Sequence, residues 1–79
     1  MIKNGWLVAK VIRCSLGGWP DRIAIKNGVT IFIEIKDIGK DLSDVQKYRV
    51  GQINKHGAIA FKAESVEELI DNLEVYNLI

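Results

Sequence analysis

The sequence predicts a single α+β domain, a mixed β-sheet flanked by helices in the order βββαβα. Three observations carry that prediction. Two runs rich in β-branched residues flank Asn27-Gly28. A helix-opening pair, Ser43 and Gln46, is matched by a closing glycine at Gly57. A short apolar run at 58–62 then leads into a second opening pair, Ser65 and Glu68, and an apolar stripe at helical spacing. Helices that alternate with strands late in a chain belong on the sheet, where both can bury their apolar sides.

Taken in order, residues 6–13 read as the first strand, dense in β-branched and aromatic side chains. Residues 15–20 are a loop in which Gly17-Gly18 permits unusual backbone angles and Pro20 sets the entry to the next strand. Residues 21–26 and 29–36 form a hairpin, because Asn-Gly suits a type I′ turn with two positive φ angles. Its second strand alternates strictly: Val29, Ile31, Ile33 and Ile35 face one way, and Thr30, Phe32, Glu34 and Lys36 the other. Ser43 opens a helix running to about His56, with Gln46 as partner in a capping box and Gly57 at C′. Residues 58–62 are short enough for a strand. Ser65 and Glu68 start the last helix, whose buried stripe is Leu69, Ile70 and Leu73.

The 79 residues make one domain, 1–79, and a chain of this size buries only about 60% of its unfolded surface. Dimerisation is therefore expected to supplement a small core. With 48% hydrophobic and 27% charged residues the chain is not disordered. Its apolar runs fall far short of the roughly 20 residues of a membrane span, and its start lacks the apolar stretch of a signal peptide. Cys14 is the only cysteine, which excludes an intrachain disulfide and an all-cysteine zinc site. Together these point to a reducing, cytoplasmic setting. The net charge of +1 hides an asymmetry. Residues 1–62 hold all eleven Lys and Arg against five acids, net +6; residues 63–79 hold five acids and no base, net −5. A basic body suits a polyanionic partner, although the acidic end also reads as one solvated helix.

A two-residue turn at Asn27-Gly28 pairs residues whose numbers sum to 55. Ile25 then faces Thr30, Ile23 faces Phe32, and Asp21 faces Glu34, with Lys36 on the same side. Like charges directly opposed on a sheet are destabilising, so two carboxylates there need a reason. A hard divalent cation is the simplest, since Mg²⁺ is commonly held by one or two carboxylates with water and substrate phosphate. A lysine two residues on can orient a water or stabilise charge on a pentavalent phosphate. The competing reading is two acids splayed at a frayed strand end. A three-residue turn would slip the register and break the pair.

The ordered set Gly17-Gly18-Trp19-Pro20-Asp21-Arg22, Ile33-Glu34-Ile35-Lys36 and Gly39-Lys40-Asp41-Leu42-Ser43-Asp44-Val45-Gln46 resembles the VRR-NUC (virus-type replication-repair nuclease) domain of the PD-(D/E)xK nuclease superfamily. The closing helix-Gly57-strand-helix extends the resemblance over residues 5–73. It implies a restriction-endonuclease-like sheet and a Mg²⁺- or Mn²⁺-dependent endonuclease that cuts DNA at branched structures such as Holliday junctions. No organic cofactor is implied. Asp21, Glu34 and the main-chain carbonyl of Ile35 would be metal ligands, Lys36 the catalytic lysine, and Gln46 a helix residue pointing into the site. Gln46 thus has two candidate roles, here and in its capping box. One departure stands out: the family's first helix, which aims an acid at the metal, has no counterpart, since the first strand starts near Trp6 and residues 1–5 hold no acid. That departure favours the alternative of a nuclease-fold DNA-binding or assembly module with weak or no catalysis. The short stand-alone form resembles phage-encoded members.

Lys10 and Arg13 on the first strand, and Lys40, Lys47, Arg49 and Lys55 on the loop and helix beyond the site, are candidate phosphate contacts, against the plainer reading of a solvated surface. Gly18 and Trp19 border the site from the loop; Trp19 either stacks on a base or anchors the loop in the core. His56 sits at a helix C-terminus, where a cation is favourable. Cys14 reads as a small apolar filler. The apolar end at 75–79 suggests a subunit interface, and a two-fold homodimer would supply the paired sites that junction resolution needs.

Overall fold

Among the described residues, five strands form one sheet whose spatial order follows the chain: β1 (Ile2–Lys3), β2 (Trp6–Lys10), β3 (Arg22–Lys26), β4 (Val29–Ile35) and β5 (Ile59–Ala63). The computed structural model describes residues 2, 3, 5–65, 67 and 69–71. The first three junctions are antiparallel, and β4 with β5 is parallel, so the sheet is mixed. A parallel neighbour requires a crossover, and α1 (Asp44–Lys55) supplies it. The architecture is α+β, as expected from the late interleaving of helix and strand.

The β3–β4 hairpin adopts the expected register, with Lys26 opposite Val29 and Ile23 opposite Phe32. Asn27 at φ 49° and Gly28 at φ 80° make the turn, a pair of positive angles that Asn-Gly accepts at low cost. One face of the sheet gathers Trp6, Val8, Ala24, Ile31 and Ile33, closed over by Leu69 and Ile70. These follow the period-2 alternation, and each Ile buried from water contributes about 1.5–3 kcal/mol. The opposite face carries Phe32 and Glu34, and α1 covers it over β4 and β5.

α1 starts where the capping box places it. Ser43 Oγ accepts from the Gln46 N–H at 3.3 Å, and the Ser43 N–H donates to Gln46 Oε1 at 2.8 Å. Gly57, at φ 91°, ends it. The helix is fastened to β5 by Asn54, whose amide mimics a missing strand. Its Nδ2 donates to the Ala60 carbonyl at 2.8 Å and its Oδ1 accepts the Ala60 N–H at 2.9 Å. An edge strand would otherwise leave those groups open.

The expected order βββαβα needs two corrections. A two-residue strand, β1, precedes the first expected one and pairs Ile2 with Leu7; two residues are too few to leave a periodic pattern. The first expected strand, residues 6–13, stops at Lys10. Only one further bond, Val11 N–H to the Asp21 carbonyl at 2.9 Å, continues the ladder. The partner of β2, β3, begins only at Arg22, opposite Lys10, so beyond that pair there is no regular strand to pair with. After β5, residues 67 and 69–71 are helical, and the Leu69 N–H reaches the Ser65 carbonyl at 3.1 Å. Glu68, Leu73 and the apolar end at 75–79 lie outside the described residues. Cys14, expected as an apolar filler, is exposed. No helix among the described residues is long and apolar enough to cross a membrane.

Replacing Asn54 by Ala strands the Ala60 N–H and carbonyl, and is expected to cost about 1–3 kcal/mol. Urea unfolding should show a lower midpoint at unchanged slope; an unshifted midpoint would mean that water satisfies this edge equally well.

Candidate active site

Beyond the last β3–β4 pair, Arg22 opposite Ile33, the ladder passes from backbone to side chains. Asp21 and Glu34 come next, and each carboxylate takes a main-chain N–H from the other strand. Glu34 Oε2 accepts the Asp21 N–H at 3.0 Å, and Asp21 Oδ1 accepts the Ile35 N–H at 3.0 Å. The two acids are therefore held together at the strand ends and do not splay.

Two further expected residues join them. Gln46 Nε2 donates to Glu34 Oε1 at 2.7 Å while its Oε1 stays in the capping box. Both candidate roles of Gln46 are realised at once, one by each end of the amide. Lys36, next on the same face of the chain after Glu34, brings its Nζ to 3.8 Å from Glu34 Oε1. Asp21, Glu34, Lys36 and Gln46 thus form one cluster, with the main chain of Ile35 bonded into it. Among the described residues no group of three or more His, Cys, Asp or Glu gathers as a metal cluster. The oxygen donors on offer are those of Asp21 and Glu34 with neighbouring carbonyls, a set that suits a hard cation and not a thiolate- or imidazole-seeking one.

Glu34 is 7% exposed, the only charged residue among the buried ones of the described residues. Burial raises its pKa above the ordinary 4.5, and the facing Asp21 carboxylate adds to the rise; the Asp21 N–H and the Lys36 ammonium pull the other way. The site therefore concentrates negative charge that its own hydrogen bonds and lysine only partly offset.

The loop before Asp21 is set by a close approach. Gly18 has φ 74°, and a Cβ there would fall 2.5 Å from the Val45 carbonyl oxygen. This glycine lets the loop lie on the first turn of α1, the turn that carries Gln46. Arg49 Nε donates to the Gly17 carbonyl at 2.9 Å and fastens the same loop. Trp19 is half-buried and meets Phe32 edge-on, with ring centroids 5.3 Å apart. It anchors the loop while keeping part of its surface open.

The remaining basic candidates do not touch the cluster. Lys10 is exposed and lies opposite Arg22; Arg13 is exposed in the following loop. Lys40 is exposed, and its carbonyl accepts from Lys62 Nζ at 2.9 Å. Lys47 pairs with Asp41 at 3.2 Å. Sequence reasoning missed two features. Arg22 folds back so that its Nη1 lies 3.0 Å from Asp21 Oδ2 and bonds the Asp21 carbonyl at 3.1 Å. Alternation puts Arg22 on the other side of the strand, so no pattern announces this contact. Asp41 lies between Lys47 and Lys62, a grouping made by the crossover. The Leu42 N–H, and then Lys47, hold its carboxyl below the usual range.

The raised pKa of Glu34 has a defined sign for stability. The folded protein holds this proton more tightly than the unfolded chain does, so ionising Glu34 opposes folding. Its contribution falls as pH rises from about 4.5 through the raised value. Asp41 acts with opposite sign, and in a lower window, below 3.8. Replacing Asp21 by Asn removes the facing charge and is expected to move Glu34 back toward its ordinary value and flatten that fall. Carboxyl NMR titration with pH-dependent unfolding checks both; an unshifted Glu34 in the variant would leave burial as the whole cause. Compared with known proteins, the chain matches no family model, no curated protein and no solved structure.

Proposed function

We propose that this chain is a divalent-metal-dependent endonuclease of VRR-NUC type, with a restriction-endonuclease-like core, hydrolysing phosphodiester bonds in branched DNA. One observation carries the reading: Asp21 and Glu34 are held face to face at the strand ends, with Lys36 and Gln46 converging on Glu34. A chain selected for stability alone has no use for two opposed carboxylates, one of them buried.

Asp21, Glu34 and the Ile35 carbonyl would hold Mg²⁺ or Mn²⁺. The raised pKa of Glu34 supports the fit, because a cation there relieves the charge that raises it. When bound, such an ion polarises the phosphate and acidifies water. The protein's own groups do the rest. Gln46 holds one oxygen of Glu34, and the Ile35 N–H one oxygen of Asp21, which fixes the direction of both carboxylates. Lys36 presents a charge beside them that stabilises the pentavalent phosphate as water attacks and the ester bond breaks. Lys10, Arg13, Lys40 and Lys47 would neutralise flanking phosphates, with Gly18 and Trp19 at the rim. A two-fold dimer would pair two such sites. The exposed row Ile2, Leu7 and Ile25 on the sheet supports an apolar interface.

The alternative, a DNA-binding or assembly module that keeps this cluster, draws on a different observation. Every carboxylate oxygen in the pair already has a protein partner: Asp21 has the Ile35 N–H and Arg22, and Glu34 has the Asp21 N–H and Gln46. On that reading the cluster is a static clasp between strands.

Two measurements separate them. Incubated with a labelled four-way junction and Mn²⁺ or Mg²⁺, the wild type should nick the junction in preference to a matched linear duplex. Lys36→Ala should lose at least about 100-fold in rate while keeping affinity. Binding without cleavage in the wild type selects the module. In thermal unfolding, metal at 100 times its Kd adds about 2.7 kcal/mol of stability. Asp21→Asn should abolish that gain; a gain of the same size in the variant would place the ion elsewhere.

A further inference from the structure

The outer side of α1 carries a glycine that the fold does not require. Gly51 lies within the helix and is exposed, its φ is not positive, and a Cβ there would meet nothing within 4 Å. Glycine is the poorest helix former after proline, and an exposed glycine mid-helix weakens the helix without any packing return inside the chain. Its surroundings are basic. Lys47 and Lys55 lie one turn to either side on the same stripe, about 12 Å apart along the axis. With Tyr48, Gln52 and His56 they line a groove of about 530 Å³ that contains no acid. Tyr48 is 63% exposed. His56 Nδ1 donates to the Gln52 carbonyl at 2.7 Å, which holds the imidazole at the end of the groove. Lys55 makes no ion pair among the described residues. Lys47 shares Asp41 in an exposed pair of the kind worth little in water, which a phosphate can replace.

We propose that the Lys47-Gly51-Lys55 stripe is a second contact for DNA, on which a phosphate backbone lies against the helix. The absent side chain at Gly51 lets the backbone approach, and the two lysines neutralise phosphates before and after it. Along a duplex, about 12 Å spans three to four phosphates of one strand. Leu69 and Ile70, the described apolar residues of the acidic stretch, pack on the other face of the sheet from this groove. The stripe and the carboxylate cluster share one rigid element. Gln46 holds Glu34 at the start of α1, and the stripe begins one residue later. DNA that reaches both surfaces must pass around the helix, which suits a molecule with more than one arm. This inference rests on the nuclease reading for the identity of the polyanion.

The test is binding of the wild type, Gly51→Ala, Gly51→Gln and Lys55→Ala to a labelled four-way junction in EDTA over a salt series. Melting curves and Mn²⁺-dependent cleavage by the same proteins accompany it. Both Gly51 variants should melt roughly 3–8 °C higher, since each restores a better helix former. Junction affinity should nevertheless fall, by about threefold for Ala and at least about tenfold for Gln, as the surface is pushed away. Lys55→Ala should lower the slope of log affinity against log salt by about 1. If the wild type binds and cuts while all variants keep its affinity and slope, the stripe is overturned and the nuclease reading stands. Gly51 variants that melt lower would assign the glycine a folding role and also overturn it. If the wild type neither binds nor cuts, the nuclease reading fails and takes the stripe with it.

Discussion

The register of the β3–β4 hairpin is the constraint on which the rest of this molecule hangs. Asn27 and Gly28 supply two positive φ angles in succession, and a two-residue loop leaves only one way for the strands to pair. That pairing buries Ile31 and Ile33 on one face. On the other face it carries Asp21 and Glu34 to the strand ends together. A slip of one residue would turn every side chain of β4 over, exposing the isoleucines and separating the acids. Core and candidate site are thus two consequences of one turn.

The acids in turn show how a destabilising arrangement is sustained. Burial and the facing Asp21 both oppose charge on Glu34. Against them stand the Asp21 N–H, the Gln46 amide and the Lys36 ammonium. Hydrogen bonds to a charged acceptor contribute about 1.5–3 kcal/mol each, enough to hold the carboxylate in place but not to return its pKa to the ordinary value. The hydrophobic face beneath can tolerate this, because Trp6, Ile31, Ile33 and Ile70 are fully enclosed.

α1 ties the two halves of the arrangement together. Its first turn touches the Gly18 backbone, caps itself through Ser43 and reaches Glu34 through Gln46. Its last turn is clasped to β5 by Asn54. A helix fixed at both ends cannot tilt without breaking one of these contacts, so the amide of Gln46 stays aimed at the carboxylate. The same rigidity gives the outer side of the helix a fixed position relative to the cluster.

Local chemistry alone determined a good deal here. The Asn-Gly turn, the alternation of β4, the Ser43–Gln46 box and the Gly57 stop are all written within a few residues. They were sufficient to place α1 and to bring Asp21 opposite Glu34 with Lys36 beside them. The tertiary structure decided what depends on residues far apart in the chain. It closed β2 at Lys10, because its partner β3 begins only at Arg22. It folded Arg22 back onto Asp21, against the alternation of its own strand. It buried Glu34 under α1 and gave Gln46 both of its candidate roles. It also made Gly18 a contact with Val45 and Asn54 a substitute strand, since such contacts arise only when separate elements meet and leave no periodic trace in the residues that make them.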